Sequence, residues 1–399
     1  MTSRLPALGV FDKAAQSCKP LNVQWVLTHR CNLACRHCYL PASPSTWEVS
    51  LPQAVRFLDQ LAAEGALFLT LSGGEPLMFP NWSAVARRAR ERGFALHFRT
   101  NGTLIDEAVA DTIASLRPLS IQVSLYGATS MSHDQITGRK GSFRRTLRGM
   151  YLLTKRGVPL SIKSVITRRN WRELPRLRQL SERLGARFSF SFNISPGTDG
   201  SAKPLRERIG QFELRRMLSD PAINSQIRPM CPPPLAGSDE ETDDFFVCRA
   251  GRDTCTIQPD GAVVPCSLLP MAAGNLYERS FKEIWRFSPI LVALRALRRR
   301  HLEECRSCES RMYCPRCPGF ALLEDGDILG RSNWACAVAK VGSAGSSEGP
   351  DWAQDARASE VRGAADNNLR HAPARRREAS IEVGQGAIRT PSHRGRSRA

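Results

Sequence analysis

The stretch Thr28-His29-Arg30-Cys31-Asn32-Leu33-Ala34-Cys35-Arg36-His37-Cys38-Tyr39 decides how this 399-residue chain is read. Its three thiols are spaced CxxxCxxC and follow an apolar run, Val23 to Leu27, that reads as a strand. Three cysteines are one short of the full complement of a structural zinc or a fully ligated cubane cluster. An iron–sulfur cluster held by only three thiolates keeps one iron open to a non-protein ligand, as catalysis requires. A zinc site completed by His29 or His37, or three unrelated buried thiols, are the alternatives that this loop leaves open.

Around the loop a unit repeats. Strand-like runs occur at Val23–Leu27, Leu67–Leu71, Ala95–Arg99, Ser120–Leu125, Leu160–Ile166 and Arg187–Phe192, with amphipathic helical stretches between them. Ser50-Leu51-Pro52-Gln53 is a capping box for the first of these helices, whose apolar stripe is Leu51, Val55, Leu58 and Ala62. Gly65, Gly93, Gly157 and Gly185 stand where a left-handed residue ends a helix and turns the chain into the next strand. Strand–helix alternation of this kind gives a parallel sheet with right-handed crossovers. Six such units predict an α/β fold, a partial (β/α)6 barrel open on one side.

Chemistry in parallel β/α folds gathers at the C-terminal ends of the strands. The cysteine loop follows strand one, Ser72-Gly73-Gly74-Glu75-Pro76 strand two and Thr100-Asn101-Gly102 strand three, while Ser124 closes strand four. Glycines at 73 and 74 allow close backbone approach, and Glu75 offers an acceptor for an ammonium group. Thr100, Asn101 and Lys163 read as pocket lining.

A second cysteine field lies downstream. Thr254–Gln258, the turn Pro259-Asp260-Gly261 and Ala262–Pro265 read as a β-hairpin with Cys255 and Cys266 at its ends, preceded by Cys248. After a helical region, Phe281 to Arg300, come Cys305, Cys308, Cys314, Cys317 and Cys336. On spacing alone, two structural zincs could be built from such thiols. Cys18 and Cys231 fit no ligand spacing.

The first field resembles the radical S-adenosylmethionine (SAM) superfamily, whose signature is CxxxCxΦC; His37 occupies the Φ position. The resemblance implies a [4Fe–4S] cluster on Cys31, Cys35 and Cys38, SAM on its open iron, and a 5′-deoxyadenosyl radical that abstracts hydrogen from a substrate. It assigns Gly73, Gly74 and Glu75 to the motif that holds the methionyl amine, Ser124 to the ribose or carboxylate, and Asn101 to the cofactor pocket. The family segment that matches His133-Asp134-Gln135-Ile136-Thr137 often carries an arginine where Thr137 stands, and no SAM contact is transferred there. The second field resembles the SPASM domain, which carries two auxiliary [4Fe–4S] clusters. Correspondence gives Cys248, Cys255, Cys266 and Cys317 to one and Cys305, Cys308, Cys314 and Cys336 to the other. The two-residue spacing between Cys314 and Cys317, where the family has three, makes Cys317 the ligand that departs from the pattern.

The expected organisation is an N-terminal extension (1–21), the radical SAM barrel (22–198), a helix and linker (199–244) with a helix over Leu205–Leu218, a SPASM domain (245–340) and a disordered basic tail (341–399). The expected substrate is a ribosomally made precursor peptide. A separate leader-recognition protein, or a strand interaction at the barrel edge, is expected, because 1–21 is too short for a leader-binding domain. A flavodoxin or ferredoxin would donate electrons. Two alternatives are weighed: sulfatase maturation to formylglycine, and a zinc-stabilised nucleic-acid-binding protein. The formal charge of +19 suits the last, but the basic residues spread over helix faces without interleaved aromatics, so nucleic acid is not the expected partner. Thirteen cysteines without a signal peptide or an apolar run long enough to span a membrane predict a cytoplasmic protein.

Overall fold

The computed structural model describes residues 6–41, 47–220, 244–344, 380–382 and 387–389. Cys231, its linker over 221–243, and most of the basic tail lie outside those residues. The chain forms two compact units, one of residues through Ile209 together with Phe246–Leu297, the other of Gly210–Phe245 and residues from Arg298 on.

The first unit is built on one sheet with the strand order β6-β5-β4-β3-β2-β1-β7-β8-β9. Strands β1 (Asn22–Val26), β2 (Phe68–Ser72), β3 (Ala95–Thr100), β4 (Ser120–Ser124), β5 (Leu160–Val165) and β6 (Arg187–Ser191) pair in parallel with their chain neighbours, as the alternation predicts. Among the described residues nothing pairs with the outer edges of β6 and β9, and the sheet does not close on itself.

The hairpin extends the same sheet. Strand β7 (Thr254–Ile257) pairs in parallel with β1, from Asn22↔Thr254 to Trp25↔Ile257, and β8 (Ala262–Val264) and β9 (Gly274–Asn275) continue antiparallel. The boundary expected at 245 therefore does not separate the hairpin from the barrel. Backbone groups of β1 are paired on both sides, and the module's first residues complete the sheet.

Helices α1 (Pro6–Gln16), α2 (Leu51–Ala63), α3 (Trp82–Glu91), α4 (Glu107–Ser115), α5 (Ser130–Thr137), α6 (Ser142–Lys155) and α7 (Leu174–Arg183) accompany the strands. Gly65, Gly93, Gly157 and Gly185 all have positive φ, between 61° and 85°, as their helix-ending role demands. The stripe of α2 is rotated from the expected one: Ala54, Phe57, Leu58 and Leu61 are buried, while Leu51, Val55 and Ala62 are only partly so. Phe57 decides the rotation, since the larger aromatic gains more by burial. It packs 6.1 Å from Trp25, which alternates with Gln24 and points to the helix-covered face.

Helix α1 falls within the N-terminal extension, where the sequence predicts no folded domain. Phe11 from α1 stacks on Phe68 at 5.4 Å, at the N-terminal end of β2. Two other helical expectations break where glycine or proline interrupts. Residues 205–218 are a 3-10 turn, Lys203–Glu207, and then α8 (Gln211–Leu218) beginning after Gly210. Residues 281–300 divide at Pro289 into α9 (Phe281–Phe287) and α10 (Pro289–Ala296). In the second unit, α11 (Pro318–Asp325) and α12 (Asn333–Ala344) follow, the latter running past the expected boundary at 340. Ser380–Glu382 pairs antiparallel with Ala387–Arg389 within the tail. No helix among the described residues is long and apolar enough to cross a membrane.

Candidate active site

The cysteine loop is pinned from two directions. From the β2 side, Gly74 N–H donates to Thr28 O and Glu75 N–H to Arg30 O, both at 2.8 Å. From the end of α5, Thr137 O accepts from Ala34 N–H at 2.9 Å and Ile136 O from Arg36 N–H at 3.0 Å. A Cβ on Gly73 would stand 2.5 Å from Thr28 O, and one on Gly74 would stand 2.5 Å from both His29 O and Arg30 O. The two glycines thus admit the protein's own backbone, which brings the SAM motif expected after β2 directly against the cysteine loop.

Glu75 is fully buried. Its carboxylate accepts from Thr100 Oγ1 at 2.7 Å, Asn101 N–H at 2.7 Å and Leu77 N–H at 3.2 Å. Burial raises its pKa to about 7 against these three bonds, which favour the anion. Asn101 carries the connection onward. Its Oδ1 accepts from Thr103 N–H at 2.9 Å and Thr103 Oγ1 at 2.6 Å, and its Nδ2 donates to Asn32 Oδ1 at 2.9 Å and reaches Cys31 Sγ at 3.9 Å. A carboxylate after β2 thereby fixes the loop after β3, which fixes the first thiol. Asn32 and Thr103 were not singled out by sequence, although both sit in the loops that follow strand ends.

The three thiols respond to one another. Cys31 and Cys38 reach solvent, yet the surrounding protein pushes Cys31 up to about 11 and raises Cys38, and burial with the neighbouring Cys38 and Cys31 raises Cys35 further. Such thiols become thiolates when a metal draws their electrons. Among the described residues no three His, Cys, Asp or Glu side chains converge tightly enough for a single metal ion. A tetrahedral zinc with bonds of about 2.3 Å needs that tight convergence, whereas thiolates on separate irons of a cubane stand farther apart. An all-thiol donor set of three on one loop, with Cys35 within electrostatic reach of both others, fits a cubane.

Behind the thiols lies an aromatic stack. His37 meets Tyr126 edge-on at 4.5 Å, and Tyr126 stacks with His133 at 6.0 Å. Tyr126 also shares a hydrogen bond with Ser124, the residue expected to contact SAM. Burial holds both His37 and His133 neutral, each lowered to about 4. For His133 the neutral form is also required by geometry, since its Nδ1 accepts from Tyr126 N–H at 3.1 Å. A histidine depressed below its free value of 6.5 binds its proton less readily folded than unfolded, so its stability contribution is complete above pH 6.5 and is lost as pH falls toward 4. At pH 4.5 the difference is about 2–3 kcal/mol. His133→Asn, which keeps an acceptor but cannot titrate, is expected to lose much less melting temperature than the parent between pH 6.5 and 4.5. Parallel melting curves for the two proteins would refute the assignment.

The second field divides. Cys255 is fully buried in the hydrophobic core of the first unit, on the side of β7 that pairs in register with Val23, and burial lifts it to about 12. Cys266 follows β8, close enough to Tyr39 for their charges to interact, and Tyr39 bonds Ser267. The hairpin thus places Cys255 on the face toward Val23 and Cys266 near Tyr39, the residue after Cys38. Cys248 is half-buried and accepts from Ala250 N–H at 3.4 Å. In the second unit, Cys336 on α12 lies within electrostatic reach of Cys305 and Cys308, and Arg316 faces Cys305, Cys314 and Cys317. The ligands expected for the other auxiliary cluster are brought into one neighbourhood. Cys18, read as an ordinary thiol, sits 4.0 Å from Arg252 Nη1.

Comparison with known proteins agrees with this arrangement. Family models match residues 25–180 (radical SAM superfamily) and 248–309 (SPASM, iron–sulfur cluster-binding domain). The PqqA peptide cyclase of Ruegeria pomeroyi is 30% identical over 303 residues, covering 73% of this chain and 80% of the relative. The AdoMet-dependent heme synthase of Methanosarcina barkeri is 29% identical over 333 residues, covering 78% and 94%. Among solved structures, Streptococcus suis SuiB bound to S-adenosylmethionine has the same fold, with a TM-score of 0.64 at 18% identity and coverage of 82% of this chain and 80% of that one. The chain belongs to the radical SAM superfamily, as an enzyme that uses SAM and a [4Fe–4S] cluster and carries a SPASM module for auxiliary clusters.

Proposed function

We propose that the chain modifies a ribosomally made precursor peptide by abstracting a hydrogen atom from it. The observation that carries this reading is the 30% identity with a peptide cyclase over four-fifths of that relative's length. When bound, the cluster and SAM supply a 5′-deoxyadenosyl radical. Cys31, Cys35 and Cys38 would hold the cluster, and Glu75, through Asn101, keeps Cys31 in place. Gly73, Gly74, Ser124 and Asn101 border the position that SAM would occupy. The ring stack of His37, Tyr126 and His133, half-buried to buried, presents an uncharged wall beside the thiols.

In the second unit, Cys305, Cys308, Cys314 and Cys336 would hold one auxiliary cluster. Cys248, Cys255 and Cys266 would serve the other. A separate leader-recognition protein, a flavodoxin or ferredoxin donor and a reducing cytoplasm complete the proposal. The enzyme assignment displaces the zinc-stabilised nucleic-acid-binding alternative.

A second reading is favoured by one observation: the chain covers 94% of a relative named heme synthase. The two are separated by anaerobic incubation of the reconstituted enzyme with SAM, dithionite and candidate short peptides encoded beside its gene. The peptide reading expects a mass change in one peptide and at least a tenfold rise in 5′-deoxyadenosine. Turnover with a haem precursor and none with any peptide would replace it with the second.

A further inference from the structure

The sheet of the first unit has two faces of opposite character. On one, Val23, Leu71, Phe98, Ile121, Val123 and Ile162 are buried under helices. On the other, strand alternation places polar residues in register. Ser72 is next to Arg99, which is opposite Gln122, then Ser161, then Arg187. Two residues toward the C-terminal ends, Lys163 stands between Ser124 and Ser189. Two residues the other way, His97 stands between Thr70 and Ser120.

Arg99, Lys163, Arg187 and His97 are the ionisable side chains on that face, and strands β1–β7 contain no Asp or Glu. The cations are also without acidic partners: among the described residues none of Arg99, Lys163 and Arg187 makes an ion pair. Arg99 Nη1 spends one bond on Gln24 Oε1 at 2.8 Å. The mutual repulsion is visible in two of them: burial and then Arg99 push Lys163 down, and burial, Arg99 and Arg187 lower His97. Arg99 also lies within electrostatic reach of Tyr39, the residue after Cys38, so the row extends to the cysteine loop. Cations in neighbouring register rows repel one another, and with no acidic side chain on these strands an anion from outside would relieve that repulsion.

We infer that Arg99, Lys163 and Arg187 receive a carboxylate of the substrate, so that the modified peptide carries an acidic side chain close to the position of hydrogen abstraction. The inference rests on the peptide reading and narrows it. A carboxylate would accept charge-assisted bonds from an arginine fork, which fixes its orientation as well as its position. Lys163 beside Ser124 and Arg99 within reach of Tyr39 bring the row toward the thiols, where orientation of the reacting carbon decides the rate, while Arg187 begins β6.

The test uses the reconstituted holoenzyme at 150 mM salt and a fluorescein-labelled peptide of six glutamates as probe, read by anisotropy. The variant R99Q/K163Q/R187Q is compared with a control, R87Q/R144Q/R148Q, which removes three exposed cations from helices α3 and α6. The first variant should bind the acidic peptide at least tenfold more weakly, while the control changes by less than threefold and SAM affinity stays within twofold in both. Equal losses in the two variants would reduce the effect to net charge and overturn the inference. A parallel loss of SAM affinity in R99Q/K163Q/R187Q would overturn it too, since the cations would then serve SAM's own carboxylate. Mesoporphyrin IX, a dicarboxylate, is the second probe: binding of it but not of the peptide, dependent on the same three residues, would overturn the peptide carboxylate. If the acidic probe fails while a peptide still stimulates 5′-deoxyadenosine formation, this inference alone falls and the proposed function stands. Iron content and melting temperature identify any variant that fails to fold, and the single change K163Q, at a half-buried strand position, then substitutes for the triple.

Discussion

Cys35→Ala is expected to abolish 5′-deoxyadenosine formation, a fall of more than about a thousandfold, while removing only about four of roughly twelve irons, since each cubane holds four. Cys35 stands between two other thiols whose charges it feels, and it faces Tyr126 across the stack. Without it the cluster loses one of three protein ligands and has no spare donor: His37, the nearest imidazole in sequence, is turned edge-on to Tyr126. Iron analysis and chromatography of SAM products on the same preparation check the result. Product formation in the variant would place the SAM site elsewhere. Loss of all twelve irons would instead mean that the change unfolds the chain.

Glu75→Leu is the second large effect, and it acts without touching a thiol. The change strands three donors, Thr100 Oγ1, Asn101 N–H and Leu77 N–H, in a site with no water access. At about 1–3 kcal/mol for each unsatisfied buried group, the expected destabilisation is about 3–6 kcal/mol, part of it offset by removing a carboxylate that burial disfavours. Asn101 would no longer be held at both ends, and the contact with Cys31 should loosen with it. Urea denaturation measures the first consequence. The second is read from reconstitution, as slower or incomplete uptake of the four irons of the SAM-site cluster. Glu75→Gln tests the geometry: whichever way its amide turns, the NH2 confronts a backbone N–H, that of Asn101 or that of Leu77, so it should recover only part of the loss. Full stability in the leucine variant would mean that the carboxylate serves a ligand alone.

The strands were legible because the sheet is apolar on one face only, so the two-residue period appears directly in runs such as Ser120–Ser124. The cysteine loop and the motifs after β2, β3 and β4 were legible for a related reason, since parallel topology sends all strand ends to one side. Two things were hidden. Pairing of β7 with β1 joins segments more than two hundred residues apart, and nothing local announces it. Nor does spacing tell how deeply each thiol is buried. Cys255 and Cys266 look equivalent on either side of a turn, and only the neighbours of Val23 and Tyr39 separate them. The glycines after β2 meet backbone carbonyls of the cysteine loop, and their first partner was hidden because close approach to a ligand and close approach to a backbone carbonyl demand the same missing Cβ. The cationic face was present in the sequence as Arg99, Lys163 and Arg187, but it becomes one row only when the register is known.

The parallel seam between Asn22–Trp25 and Thr254–Ile257 has a consequence for anyone who would graft this C-terminal module onto another catalytic half. A junction at residue 245 would strip β1 of one neighbour and leave its amides and carbonyls bare, an invitation to intermolecular pairing. Chimeras should instead exchange the chain after Leu297, so that the donor strand travels with its host.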